Sequence, residues 1–473
     1  MSQRGLELAR AKMAAANVSP AAIEVFARFY GLVESGQSVF IREDDVEPLP
    51  QLACVVDDER SEENTEALRA TALIKLNGGL GTSMGMPKAK SLLSVRDGKR
   101  FLDLIVDQVR AARAATGARL PVMFMDSFRT GADTLEALSA YPDLPVGDLP
   151  LSFMQNREPK LDAATLEPVS WPANPALEWC PPGHGDLYPS LHDAGIVRAL
   201  LDAGFRYVNV SNADNLGAYP SAQLAGWFAR SGAPYAAEMC LKTPADVKGG
   251  QLVVRKADGR IMQRETAQTH PDDMAISLDP TRHRYFHTNN LWFDLEALNA
   301  ELERTAGVLE LPLIANPKTV DPTDPDSTPV IQIESAMGAA VVVFEGATAV
   351  EVPRSRFLPV KTTNDLLVVR SDVYELDDDA RLVTTRPVPL IDLSQPFKTI
   401  SGFEARFPAG VPSLRQAVSL TVDGDWTFGA NVTVLGEAYL PDPDQELISL
   451  DVDPAESTGT VPDGATITAD GLA

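Results

Sequence analysis

The stretch LIKLNGGLGTSMGMPKAKSLL, Leu73 to Leu93, constrains this chain more than any other. Its apolar opening, Ala72 to Leu76, predicts a buried strand. Gly78, Gly79, Gly81 and Gly85 follow, and then Lys88, Lys90 and Ser91. Glycine has no Cβ, so such a loop can turn sharply and bring its N–H groups close to a phosphate. The lysines supply the charge to hold it. A strand running into a phosphate loop belongs at the carboxyl edge of an open α/β sheet, where such sheets bind ligands. Two common loops are excluded. A Walker A loop needs two glycines five positions apart before its Lys and Ser or Thr, and a dinucleotide fingerprint needs a glycine where Met84 stands.

Around this loop the pattern is that of an α/β chain. Apolar residues from Ser2 to Glu34 recur at three- and four-residue intervals and predict a helical segment. Arg42 to Asn64 is acidic and irregular, a solvated loop or helix start. From Thr71 onward strands alternate with helices. RLPVMFMDS, FRYVNVSNADNLG, APYAAEMCL, QLVVRK and AAVVVF predict strands, and GADTLEALSAY a helix. This alternation implies a largely parallel sheet covered on both faces. Two Pro-rich stretches, Tyr141–Leu191 and Asn316–Thr328, predict long functional loops. Near the C-terminus Leu420, Trp426, Val432 and Ala438 lie six apart, and Val422, Phe428 and Val434 keep the same period. A hexapeptide period predicts a β-helix of about three turns. The acidic, Gly-rich segment from Asp451 to Ala473 predicts a partly mobile tail.

The 473 residues allow two or three domains, and 66 Asp and Glu against 41 Lys and Arg leave a net charge of −25. Such a surface repels nucleic acid and anionic lipid. A phosphate ligand therefore needs a local cluster of positive charge. Cys54, Cys180 and Cys240 match no metal-ligand spacing and, being odd in number, form no complete disulfide framework. Buried thiols in a reducing cytoplasm are the expectation. No signal-peptide pattern or membrane-length apolar run is present, which predicts a soluble, cytoplasmic protein.

Four further segments carry chemistry. In WCPPGHGDLY, His184 sits between Gly183 and Gly185 in a stiff Pro-rich loop, a setting for ligand contact. In VNVSNADNLGA, Asp214 follows a strand and projects at the sheet's carboxyl edge. It suits Mg²⁺, which takes one or two carboxylates plus phosphate oxygens and water. An Asx-turn built on Asn212 or Asp214 fits the same residues, and the sequence does not separate the two. In FHTNNLWF, the amides of Asn289 and Asn290 offer donors and acceptors for sugar hydroxyls. VPRSRFLPVKTTNDLL supplies Arg354, Arg356 and Lys361, a basic cluster in an acidic chain, with apolar neighbours that fix where Lys361 points.

In this order, KLNGGLGTSMG, FMQNREPKL, PPGHGD, SNADNLGA, HTNNLW (like NTNNLW), NPKT, ESAMGAA and VPRSRFLPVKTTNDLL resemble the UTP–glucose-1-phosphate uridylyltransferase family of eukaryotic-like type. The resemblance implies a Rossmann-like nucleotidyltransferase domain with a GT-A-like mixed sheet over residues 71–385. A helical segment, 1–70, would precede it, and a small left-handed β-helix with acidic tail, 386–473, would follow. It implies that Leu76, Asn77, Gly78 and Gly79 hold the uridine nucleotide, that Gln155 reads uracil and that Gly183 contacts the nucleotide. His184 would bind the sugar phosphate, Asn212 and Asp214 would hold nucleotide, sugar and Mg²⁺, and Glu265, Asn289 and Asn290 would line the sugar pocket. Lys90 and Lys361 match the family's two phosphate-binding lysines, Lys361 at the position usually called catalytic. The family's KGPKS element reads PKAKS here, so Lys88 is a second candidate for the phosphate contact of Lys90. The implied partners are UTP, glucose 1-phosphate, UDP-glucose and pyrophosphate, with self-association through the C-terminal domain. A related UDP-sugar or UDP-N-acetylhexosamine pyrophosphorylase is the alternative activity.

Overall fold

The computed structural model describes residues 3–36, 40–55, 61–81, 84–86, 88–243, 246, 249–443 and 459–472. Contacts divide the chain into two units. The first comprises residues 1–78, 113–212 and 220–356, and the second 79–112, 213–219 and 357–473.

The first unit is built on a seven-stranded mixed sheet. Its strands in chain order are β1 (Thr71–Asn77), β2 (Val122–Asp126), β3 (Ser152–Met154), β4 (Tyr207–Asn212) and β5 (Tyr235–Leu241). After a hairpin formed by β6 (Gly250–Arg255) and β7 (Ile261–Glu265), β8 (Tyr285–Asp294) and β9 (Thr348–Glu351) complete it. The spatial order is β9-β5-β8-β4-β1-β2-β3. Strands β4, β1, β2 and β3 run parallel, whereas β8 is antiparallel to both β4 and β5. The largely parallel sheet read from strand–helix alternation is thus mixed, because β8 enters without a crossover helix of its own.

The leading helical segment is two helices, Gln3–Ala15 and Pro20–Ser35. Asn17 takes a left-handed φ of 56°, the Ser19 hydroxyl caps the second helix by accepting from the Ala22 N–H, and Pro20 opens it, a position where its missing N–H is no loss. Met13, Phe26, Phe29 and Tyr30 join Ile74, Met125, Val208, Tyr235, Leu291 and Phe293 in one apolar core. AAVVVF, expected as a strand, lies in a buried 3-10 helix, Met337–Val342, and the turn after it. A short, fully apolar run has no periodicity to separate the two. The Pro-rich stretch after Tyr141 carries β3, further short strands and a helix, Leu187–Asp193.

In the second unit, strands β10 (Leu390–Leu393), β11 (Ser413–Val422), β12 (Trp426–Phe428), β13 (Thr433–Leu440), β14 (Gly459–Val461) and β15 (Thr466–Thr468) stack in parallel. Leu420 pairs with Ala438 and Val422 with Leu440, so one turn there is three hexads long. Leu420, Phe428, Val432, Val434 and Ile467 are all buried. The hexad period thus marks a parallel β-coil. Part of the segment expected to be a mobile tail forms β14 and β15; residues 444–458 lie outside the described residues. Cys180 and Cys240 are buried, but Cys54 is exposed, against the expectation of three buried thiols. Among the described residues no helix is long and apolar enough to cross a membrane.

Candidate functional site

In the first unit the carboxyl ends of β1, β2 and β4 meet. Leu76 pairs with Asn212, and Asn77 with Asp126. Leu76 and Asn212 are half-buried, while Asn77 is buried. The Asn77 amide donates to Asp126 Oδ1 at 2.7 Å and to Thr134 Oγ1 at 2.9 Å. Burial pushes the Asp126 carboxyl up, against hydrogen bonds from Ser152, Asn77, Thr134 and Thr130. The amide nitrogen of Asn77 therefore braces the strand ends.

Gln155 follows β3, and its N–H donates to the Asp126 carbonyl at 2.7 Å. Its side chain covers Gly78, where a Cβ would stand 2.1 Å from Gln155 Nε2. The structure thus brings Gly78 and Gln155 together. Gly183 has φ +78°, and a Cβ there would meet the Ser335 carbonyl oxygen at 2.7 Å. Gly185 donates to that same oxygen at 2.8 Å. Both glycines let the PPGHGD loop lie flat on the ESAMGAA segment.

His184, held between them, accepts from the Met337 N–H at Nδ1, 2.9 Å. That bond leaves the ring proton on Nε2. Burial lowers the pKa to about 4, so the ring is a neutral donor near pH 7. His287 repeats the pattern. Its Nδ1 accepts from the Asn289 N–H at 2.9 Å, and burial together with His184 pushes it down to about 3.

The sugar-side residues separate into two kinds. Asn289 is half-buried with φ +58°. Asn290 is fully buried, and its amide donates to Glu238 Oε2 at 2.9 Å. Glu238 also accepts from Trp292 and, at 2.9 and 3.1 Å, from Arg356. Glu265 is half-buried and accepts from the Gln263 amide. Buried Gln263 Oε1 and His287 Nε2 have no hydrogen-bond partner. Both lie within 3.0 Å of where a Cβ on Gly338 would stand.

The second unit gathers the charges. Lys90 Nζ bonds Asp214 Oδ2 at 2.7 Å, with both side chains about four-fifths buried (17% and 20% exposed). The Lys90 N–H donates to the Gly79 carbonyl at 3.4 Å, closing the glycine loop. Gly79 and Lys88 are exposed; Thr82, Ser83 and Pro87 lie outside the described residues. Asn215 Oδ1 accepts from the Leu358 N–H at 2.8 Å, and the Asp214 carbonyl from the Val360 N–H at 3.3 Å. Those two bonds seat residues 357–361 against the Asp214 loop. Lys361 is exposed, with Nζ 5.7 Å from the Phe357 ring centroid. Its N–H and that of Thr362 both donate to Asp365 Oδ2 at 2.8 Å, fixing the start of the following helix. Lys90 and Asp214, distant in sequence, are thus paired, and the backbone that leads into Lys361 lies against the Asp214 loop.

Of the expected basic cluster, Lys361 is exposed and Arg354 half-buried. Arg356 is buried on Glu238, and Arg354 holds Asp246 at 2.6 and 2.9 Å. Sequence reading missed Asp126, Glu238, Gln263 and His287. Glu238 had a signal, a lone carboxylate in an apolar strand, which when buried must find a cation.

The family described as UTP–glucose-1-phosphate uridylyltransferase matches residues 23–435. An enzyme of that name from Solanum tuberosum is 38% identical over 398 residues, 83% of this chain and 80% of its own. Its Saccharomyces cerevisiae counterpart is 40% identical over 80% of this chain and 75% of its own. Among solved structures, a Leishmania major UDP-glucose pyrophosphorylase variant in complex with UDP-glucose superimposes with a TM-score of 0.88, at 38% identity and 98% coverage of both chains. A UDP-glucose phosphorylase from Trypanosoma brucei gives 0.88 at 39% identity, covering 98% of this chain and 99% of its own.

Proposed function

The chain belongs to the UTP–glucose-1-phosphate uridylyltransferase family, and we propose that it joins UTP and glucose 1-phosphate into UDP-glucose and pyrophosphate by direct attack of the sugar phosphate on the α-phosphorus. The observation that carries this reading is the grouping of Lys90, Asp214 and Lys361 in one unit of an otherwise acidic protein. The nucleophile needs no general base. A phosphate monoester has its second pKa near about 6 and is already an anion at neutral pH. The difficulty is bringing two polyanions together, and positioned cations in a preorganised site meet it.

In this account Lys90 exchanges Asp214 for the triphosphate when substrate arrives. Lys361 shares the charge of the attacking phosphate and the α-phosphoryl group. Leu76 to Gly79, Gln155 and Gly183 hold the nucleotide. His184 donates from Nε2 to the sugar phosphate without adding charge. Asn212, Glu265 and Asn289 take the sugar hydroxyls; Asn290, whose amide is turned to Glu238, braces Asn289 from behind. Asp214 would also hold Mg²⁺, which supplies charge neutralisation at the phosphates. One carboxylate fits that ion, since phosphate oxygens and water complete its shell; among the described residues no cluster of three metal-ligating side chains occurs.

The same proposal takes the sheet as GT-A-like, the C-terminal coil as left-handed, and the family division as 1–70, 71–385 and 386–473. It places the protein in the cytoplasm and allows self-association through the C-terminal coil. Isotope exchange tests the direct attack. Labelled pyrophosphate is expected to enter UTP only when UDP-glucose or glucose 1-phosphate is also present. Exchange with UTP alone would mean a covalent uridylyl-enzyme and overturn the single displacement.

A further inference from the structure

Strand β8 does not run evenly beside β5. Ala237 pairs with Leu291 and Met239 with His287, so Glu238 alone stands opposite Thr288, Asn289 and Asn290. Bulges of this kind re-aim a side chain beside a site. The last pair with β4 is Val210 with Leu291, and Asn212 and Asn289 each lie two residues beyond it, at the same sheet edge. From Tyr285 to Phe293 every residue is buried except Asn289. Its φ of +58° is a left-handed pose that Asn tolerates better than most residues.

We propose that His287 is a positioning residue for the sugar, because its Nδ1 fixes the bulge in the pose that turns Asn289 to the ligand. The flanking bulge residues are held by Glu238. Thr288 Oγ1 donates to the Glu238 carbonyl at 2.8 Å and accepts from the Asn290 N–H at 3.2 Å. The Asn290 amide donates to Glu238 Oε2 at 2.9 Å. Between them, the Asn289 N–H donates to His287 Nδ1 at 2.9 Å.

The rest of the ring explains itself only through that bond. With Nδ1 accepting, the ring proton is on Nε2, and this buried Nε2–H has no acceptor. An unpartnered buried donor is costly, so the imidazole is retained for what Nδ1 does. Gly338 makes room for it, since a Cβ there would stand 3.0 Å from Nε2. Burial, and then His184, lower the ring's pKa to about 3, and the Asn289 side chain beside the ring opposes them. Nδ1 therefore stays an acceptor at neutral pH.

The inference rests on Asn289 facing the sugar, and binding tests it without turnover. Affinities for UDP and for UDP-glucose are measured calorimetrically in the full chain. His287→Leu is expected to lose about fivefold or more in UDP-glucose affinity, with UDP affinity within about twofold of wild type. His287→Asn, whose Oδ1 can accept from the N–H two residues on as in an Asx-turn, is expected to return UDP-glucose affinity to within about twofold of wild type. Asn289→Gly accommodates the positive φ without the amide and is expected to weaken UDP-glucose alone. Adding His287→Leu to it is expected to cost nothing more, since both act through one contact. Equal loss on both ligands would make His287 merely structural and overturn the proposal. So would full UDP-glucose affinity in His287→Leu, a His287→Asn variant no better than His287→Leu, or additive losses in the double variant. Full affinity in Asn289→Gly would remove Asn289 from the sugar and overturn the inference together with that placement. The expected pattern in a chain that releases no pyrophosphate would support the positioning role and contradict the transfer reaction.

Discussion

At the scale of single residues, the two imidazoles of the first unit are kept neutral by burial. His184 and His287 are held at about 4 and 3 by burial. Both lie below the unfolded value of about 6.5, so between these limits the unfolded chain binds protons that the folded chain does not. Stability is therefore present above about pH 6.5 and is lost as pH falls through that window. His287→Asn preserves an acceptor for the Asn289 N–H and removes one titrating ring. The variant is expected to lose less stability than wild type between pH 7.5 and pH 5, measured as unfolding midpoints; an equal loss would remove His287 from the acid response. Gly78→Ala pushes the Gln155 amide aside. We expect about a tenfold rise in the KM for UTP with an unchanged fold, read from steady-state kinetics and circular dichroism. Lys361→Ala is expected to lose about 10²–10³ in turnover, the usual effect of removing one donor to developing charge. Both lysines and Asp214 stand out as candidates in the sequence because charge is conspicuous in a Gly-rich loop or after a strand. Gln263 and His287 do not, since nothing in a linear sequence says that two polar atoms will meet beside Gly338.

At the scale of elements, the segment from Val352 to Leu366 divides its labour. Arg356 is anchored under the sheet by Glu238, while Leu358 and Val360 seat the backbone on the Asp214 loop. Sequence alone read three cations as one patch, because residue type does not distinguish a buried cation from a presented one. Breaking the buried pair leaves Glu238 uncompensated. Arg356→Met is expected to cost about 3–5 kcal/mol of stability, measured by denaturant titration; a cost under about 1 kcal/mol would mean that the pair does not hold the segment. The β1 strand, the glycine loop and the hexad coil were all legible, because each has a strict period or a glycine requirement. The 3-10 helix at Met337–Val342 was not, since its apolar run has no polar face to reveal the period.

At the scale of the whole molecule, the chain combines a mixed-sheet unit that presents amides and a neutral imidazole with a second unit that presents two lysines and a carboxylate. Both are set in a surface that repels polyanions. A net negative field opposes polyanions in general and leaves small phosphates to be selected by local charge. The family and its activity were legible from motif order, because the chemistry needs particular residues at strand ends. Pyrophosphate release from UTP and glucose 1-phosphate, followed with and without Mg²⁺ and with ATP and CTP in place of UTP, tests the central claim most directly. Release that requires UTP, glucose 1-phosphate and Mg²⁺ together is the predicted result; UTP that binds but yields no pyrophosphate with glucose 1-phosphate would contradict it.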